Sequence, residues 1–380
     1  MSSRHAPQNP WSVRWLAALA FVGVLSGGVA PVSAAEPPSL DSIIERASAE
    51  QPAIEDARGW SLAIDNDLFA PAQSDRDYTG GLGVTVSGAQ TAEYWWSLDP
   101  LLRRLDSLVF TRDAEWSESR LHQGVQVGLM SFTPQDLAAD EVRFEDRPYA
   151  SLLFVSAARQ YLAPDARSVR YSDLTFGILG LSLTSNLHAA IHKAVGSDAP
   201  RGYGHQIASG GEPTARYAIG GSTLRGRRLM LGPGLLETQT TWELSAGYLT
   251  EASYAVSARL GAINSPWWTF NPERVDYIVQ PAPIARTDGR GLSEVYVWAG
   301  AKVRLRAYNA FLQGQFRDSD HVFASDEINH VIGEIWFGVT GQFAGGTQMS
   351  YAVRVQTSEV RDGLGRRDPV WAGVTISRGF

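Results

Sequence analysis

The stretch Trp60–Val86, WSLAIDNDLFAPAQSDRDYTGGLGVTV, decides the fold. It holds two runs with strand character around a loop bearing Asn66, Asp67, Asp75, Asp77 and Thr79. Side chains alternate faces along a strand. In the second run Leu82, Val84 and Val86 therefore share one face, and Thr79, Gly81, Gly83 and Thr85 the other. In the first, Trp60, Leu62 and Ile64 are the apolar set, opposite Ser61, Ala63, Asp65 and, if the strand persists, Asp67. This alternation predicts that Asp67 and Thr79 face the same way.

The same period of two recurs toward the C-terminus. Trp242, Leu244, Ala246 and Tyr248 alternate with Glu243, Ser245 and Gly247, and the chain ends in Val370, Ala372, Val374, Ile376 and Phe380 alternating with Trp371, Gly373, Thr375, Ser377 and Gly379. Strands are expected at 60–66, 79–88, 121–132, 150–161, 167–182, 206–220, 235–250, 253–263, 293–313, 330–343, 347–360 and 369–380. A soluble sandwich also alternates, but it seldom needs this many long strands with Gly, Ser, Arg and Gln on the second face. A membrane barrel has the apolar face toward lipid and the polar face toward a lumen. It must also close, because lipid satisfies no backbone hydrogen bonds.

The N-terminus suits that reading. Residues 1–35 run from Arg4, His5 and Arg14 through an apolar core, Trp15–Leu25, to small residues ending at Ala34 and Ala35, the layout of a cleaved secretory signal peptide. The apolar run is short for a spanning anchor, which needs roughly 20 residues. Residues 36–59 are a polar leader and 60–380 form the barrel domain. There is no cysteine, so no disulfide holds the exported chain, and a closed sheet is the natural alternative. Acidic and basic residues are interspersed around a net charge of −7, which leaves no nucleic-acid footprint. The expected fold is an all-β, twelve-stranded antiparallel outer-membrane barrel, with a short helix in an extracellular loop.

An even strand count and short periplasmic turns put both termini inside the cell, so the loops after strands one, three and five are expected outside. Loop one carries Asn66, Asp67, Asp75 and Asp77; loop three Asp136, Asp140, Glu141, Glu145, Asp146 and Arg147; loop five His188, His192, Asp198, His205 and Glu212. In loop five, Thr184, Ser185 and Asn186 offer N-caps to a helix, LHAAIHKAV, that ends at Gly196. His188 and His192 are spaced i, i+4 on one face of it. Zinc is disfavoured, because no Glu follows His188 and no third nitrogen ligand is evident. The segment Asn264–Leu292 is long where a short turn is expected, and the sequence offers no account of it.

These residues, taken in order, resemble the lipid A 3′-O-deacylase family of Gram-negative outer membranes, a group of calcium-dependent twelve-stranded barrels. The resemblance rests on Asn66-Asp67 with Asp77-Tyr78-Thr79 and Gly81; Thr133-Pro134 and Asp146-Arg147-Pro148-Tyr149-Ala150; Gly177 and Gly180 leading to His192, Gly196 and Asp198; Gly202-Tyr203 with Gln206; Glu212-Pro213; and Tyr308-Asn309-Ala310 with Leu312 and Gly314. It implies catalytic roles for His192, Asp198, Asn66 and Thr79, a Ca2+ cofactor on Asp67 and Asn66, and lipid A or lipopolysaccharide as substrate. It also implies contact with outer-membrane lipids, and a monomer is expected. His192 falls on the family's general base. The acidic position, commonly Glu, is Asp198; Gly80 replaces an Asn; and loop three, where the family pattern has a lysine for sugar phosphates, has only Arg143 between Pro134 and Asp146.

Two other functions are compatible with the residues. A barrel could keep this rim to bind calcium or lipopolysaccharide without catalysis. A phospholipase would need a Ser nucleophile paired with His, and Ser185 and Ser197 have no identifiable triad.

Overall fold

A computed structural model of the protein describes residues 58–70, 77–110, 120–182, 186, 200–229, 234–279, 294–343 and 346–379. Among these, twelve antiparallel strands close into a barrel. They are β1 (Gly59–Asn66), β2 (Asp77–Ser87), β3 (Arg120–Thr133), β4 (Ala150–Leu162), β5 (Ser168–Leu179), β6 (Glu212–Leu229), β7 (Leu235–Gly247), β8 (Leu249–Ala262), β11 (Glu294–Asn309), β12 (Val331–Gln342), β13 (Thr347–Gln356) and β14 (Val370–Gly379). The first strand closes on the last from Gly59↔Gly379 to Asn66↔Ala372, so no barrel edge is left open. Two further strands, β9 (Val275–Asp276) and β10 (Ile278–Val279), pair only with each other.

The two faces of the wall are inverted relative to a soluble protein. Trp60, Ile64, Val84, Val127, Leu244 and Val256 are exposed. Thr85, Gln126, Ser156, Asp173, Arg216 and Glu243, at the alternate positions, are buried. An apolar exterior around a polar interior is the arrangement a lipid-embedded barrel requires.

The expected strands are all present, with displaced ends. β6 begins at Glu212 and not at 206, because Gly210 and Gly211 take φ of 89° and 95° and turn the preceding residues away from the sheet. β11 stops at Asn309, whose side chain accepts a hydrogen bond from the Phe311 N–H and caps the short helix Ala310–Gln313.

Short turns at the end that carries the termini hold in part. Ala163–Arg167 is such a turn, but residues 88–119 contain α1 (Asp99–Val109), and 263–279 enter the lumen. The second segment explains the long connection after β8. Trp268 O accepts from Gln160 on β4, Glu273 accepts from Gln239, Thr241 and Ser257 on β7 and β8, and Arg274 stacks 3.8 Å from the Tyr171 ring on β5. The β9–β10 hairpin places Ile278 against Gly81 and Gly83 on β2. Polar residues in this connection match polar residues of the inner wall, so it plugs much of the lumen, leaving a cavity against Asp65, Tyr296, Thr340, Gln348 and Thr375.

Candidate functional site at the outer wall of the barrel rim

Asn66 ends β1, and Asp67 opens the tight turn Asp67–Phe69 that follows it. Asn66 lies on the same face as the exposed Ile64, the outer one. Its Nδ2 donates to the Thr79 carbonyl at 2.6 Å, tying the end of β1 to the start of β2. The Thr79 and Thr133 hydroxyls are 2.5 Å apart. Asp67, Thr79 and Thr133 are all buried.

Strict alternation puts Thr79 on the inner face with Gly81 and Gly83, and the structure differs. The β2–β3 register shifts between Tyr78 and Gly80, so Thr79 is an extra, bulged residue. The cause lies in Tyr78, whose ring packs in the lumen among Phe132, Tyr277 and Trp371. Tyr78 and Gly81 both face inward although three residues apart, which a regular strand cannot do. A Cβ on Gly81 would lie 2.1 Å from the Tyr78 hydroxyl, so this packing also needs the glycine. The bulge turns Thr79 toward Thr133 on the outer face.

That outer face continues as a polar strip. Ser131, two residues before Thr133, meets the Tyr203 hydroxyl at 2.6 Å, and Ser151 on β4 donates to Gln206 Oε1 at 2.9 Å. Alternation from the exposed Val127 places Ser131 and Thr133 outside the barrel, and cross-strand pairing places Ser151 with them. They are nonetheless buried, because residues 200–211 fold over them. That cover is anchored by Arg201 N to Leu137 O, Ile207 N to Tyr149 O and Gln206 Nε2 to Gly180 O. The site thus lies between the external wall and a loop.

The carboxylates expected to converge at this rim divide by role. Asp77 and Asp146 both receive Arg367, from the connection between β13 and β14, at 2.8 and 2.7 Å. Burial works against the Arg367 charge, but hydrogen bonds and attraction from Asp77 and Asp146 raise its pKa above the ordinary range. Glu212 accepts the backbone N–H groups of Phe316 and Arg317, and His205 Nδ1 lies 2.5 Å from Asp320. These groups clip loops together, which leaves Asn66, Thr79 and Thr133 at the polar corner, with Asp67 buried beside them in the chain. Arg367 and its clamp escape sequence reading, since nothing local ties residue 367 to 77 or 146.

His188, His192, Asp198, Ser185 and Ser197 lie outside the described residues, as does the helix expected to carry the histidines. Among the described residues there is no group of three or more His, Cys, Asp or Glu side chains that could hold a metal ion. The donors at the corner are of another kind: the Asn66 amide oxygen and the hydroxyls of Thr79 and Thr133, with the buried Asp67 next in the chain. All are hard oxygens, the chemistry calcium accepts. Gly80 leaves the corner open, as a Cβ there would stand 3.2 Å from Asn66 Nδ2.

A family model described as outer membrane protein LpxR matches residues 21–380. Among solved structures, LpxR from Salmonella typhimurium aligns with a TM-score of 0.64 at 16% identity, covering 85% of this chain and 100% of that one. The β domain of the Bordetella autotransporter BrkA aligns at 0.39 and 10% identity, covering 86% and 100%, and an outer-membrane channel from Pseudomonas putida F1 at 0.39 and 9%, covering 86% and 96%. No curated protein sequence matches the chain.

Proposed function

The chain belongs to the LpxR family of outer-membrane proteins, and from that premise we propose that it is a lipid A deacylase that hydrolyses the 3′-linked acyloxyacyl ester in the outer leaflet. The observation that carries this reading is the side of the wall on which the polar corner lies. Asn66, Thr79, Ser131, Thr133 and Ser151 face away from the plugged lumen, toward the space a membrane lipid occupies, under a loop rather than in open lipid. A soluble substrate would call for a site in the lumen or above it.

In the proposed reaction, water attacks the acyl carbonyl carbon and the bond between that carbon and the sugar 3′ oxygen breaks. His192 takes the proton from water at a ring nitrogen and returns it to the departing sugar oxygen. A neutral imidazole with an ordinary pKa near 6.5 suits both transfers at neutral pH. Asp198 orients the ring and favours its protonated form. Thr79 and Asn66 line the site, with the Asn66–Thr79 hydrogen bond holding β1 and β2 in register beneath it. Asp67 and Asn66 would hold calcium, which when bound supplies positive charge to an ester carbonyl. The alternative, a non-catalytic barrel that binds calcium or lipopolysaccharide, shares these donors and differs only in turnover.

Mass spectrometry of lipid A incubated with purified protein separates the two readings. Loss of the 3′-linked chains in calcium, no loss in excess chelator, and no loss with a folded Asp67→Ala variant are expected. Intact lipid A under every condition favours the non-catalytic barrel. Undiminished deacylation in chelator removes calcium but leaves the hydrolase standing.

A further inference from the structure

The helix α1 is bound to the outside of the barrel. Leu102 packs in one cluster with Val125, Ala157 and Leu174, with Val86 against it, and these belong to the outward set of β2–β5. Beneath its two ends the outer wall is polar. Gln123 Nε2 donates to Asp99 Oδ1 at 2.9 Å, with Arg159 Nε 3.5 Å from the same oxygen. Ser172 Oγ and Tyr217 OH donate to the two oxygens of Asp106 at 2.8 and 2.9 Å. A charged outward residue such as Arg159 is costly on a lipid-facing wall. The helix covers this patch and supplies its counter-charge.

The remaining circumference of α1 has two characters. At about 100° per residue, Leu101 and Leu108 form one exposed ridge, with Leu105 at its edge packed partly against the barrel and Arg104 and Ser107 on its other side. Leu108 is 81% exposed, and Trp95, just before the helix, is 93% exposed. Arg103 reaches back to Asp99 at 2.8 Å yet stays largely exposed, and Arg104 makes no ion pair among the described residues. An exposed apolar ridge beside an unneutralised cation, on the outer wall of a membrane barrel, is complementary to a lipid with an anionic headgroup.

We propose that α1 is an in-plane helix that buries Leu101 and Leu108 among the acyl chains at the end of the barrel bearing the termini, and that Arg103 and Arg104 hold the headgroup of an anionic phospholipid. In the proposed orientation this is the periplasmic leaflet. The site is independent of the deacylase reading, because it lies at the opposite end of the strands from Asn66 and Thr79.

The absence of cysteine allows single nitroxide labels at Leu108→Cys and Ser107→Cys in full-length protein. In vesicles of phosphatidylethanolamine and phosphatidylglycerol, the label at 108 should relax more with oxygen than with a water-soluble nickel complex, and the label at 107 the reverse. Native mass spectrometry should find phosphatidylglycerol retained over phosphatidylethanolamine. The double variant R103Q/R104Q should lower that preference by roughly thirtyfold, given about 1 kcal/mol for each of the two basic residues near a membrane surface. Equal water access at 107 and 108 overturns the in-plane placement. Equal retention of the two lipids, a preference that survives the double variant, or retention of lipopolysaccharide in place of phosphatidylglycerol overturns the headgroup site. Heat-modified gel mobility of each variant checks that the barrel is closed, and unchanged lipid A deacylation separates this test from that of the active site.

Discussion

His192 and His188 stand four residues apart, a spacing that in a helix would be about 6 Å along the axis, and in the proposed mechanism only one of them is the base. His192 stands six residues before Asp198, with Gly196, a residue that suits a turn, between them. Loss of a general base typically costs about 10² to 10⁴ in rate, so His192→Ala should nearly abolish turnover and His188→Ala should cost far less. Asp198→Asn should fall between them, keeping an acceptor but losing the charge that favours imidazolium, while Asp198→Glu should be tolerated. Lipid A deacylation rates for the four variants test this order. If the two histidine variants proved equally harmless, the hydrolase reading would fail.

At the scale of single elements, much of the barrel can be read from period-two alternation, because one face must be apolar over its whole length. Asn66, Asp67 and Thr79 are likewise legible as a polar corner. The side on which Thr79 projects is not, since the bulge answers to Tyr78 packing on Tyr277, a residue from a distant connection. The outer-wall helix was readable and yet escapes a search for alternation: Leu98, Leu102, Leu105 and Val109 recur at helical spacing, and Pro100 suits a first turn. Its docking should depend on pH. Burial pushes the Asp106 carboxyl up, against hydrogen bonds from Ser172 and Tyr217 that favour its ionised form. A raised carboxylate contributes its stability fully below the ordinary value of 3.8 and loses it as pH rises through the folded value. Hydrogen-exchange protection factors across α1 should therefore decline over that rise in wild type, and stay flat in Asp106→Asn.

For the whole molecule the decisive feature is that the lumen is occupied by the chain's own residues. Asp276 in the β9–β10 hairpin receives Arg216 at 2.6 Å from β6 and Arg304 at 2.6 Å from β11, with Lys302 3.8 Å away. Arg304 also donates to Glu251 on β8 and Glu334 on β12, while Tyr277 donates to Glu359 at 2.5 Å. The hairpin thus ties strands from opposite sides of the barrel. Burial alone would raise the Asp276 pKa, but Arg216, Lys302 and Arg304 hold it below the usual carboxylate range. The stability it contributes is present above the ordinary value of 3.8 and is lost only as pH falls through the depressed one, so mild acid should leave the hairpin locked. Asp276→Asn removes one carboxylate of a buried cluster, leaving Arg216 with Asp173 and Glu243, Arg304 with Glu251 and Glu334, and Lys302 without its ion pair. Breaking a buried pair in this way costs about 3–5 kcal/mol, which should appear as a lowered unfolding midpoint in urea. Planar-bilayer recordings give the sharper readout. Wild type should pass little current, including in mild acid, because the plug stays seated. Replacing residues 266–279 by a short Gly-Ser linker should open the lumen and give steady conductance, with Asp276→Asn flickering between the two. Steady conductance in wild type would mean that the connection does not block the lumen in the membrane, and would remove the reason for placing the substrate on the outer wall.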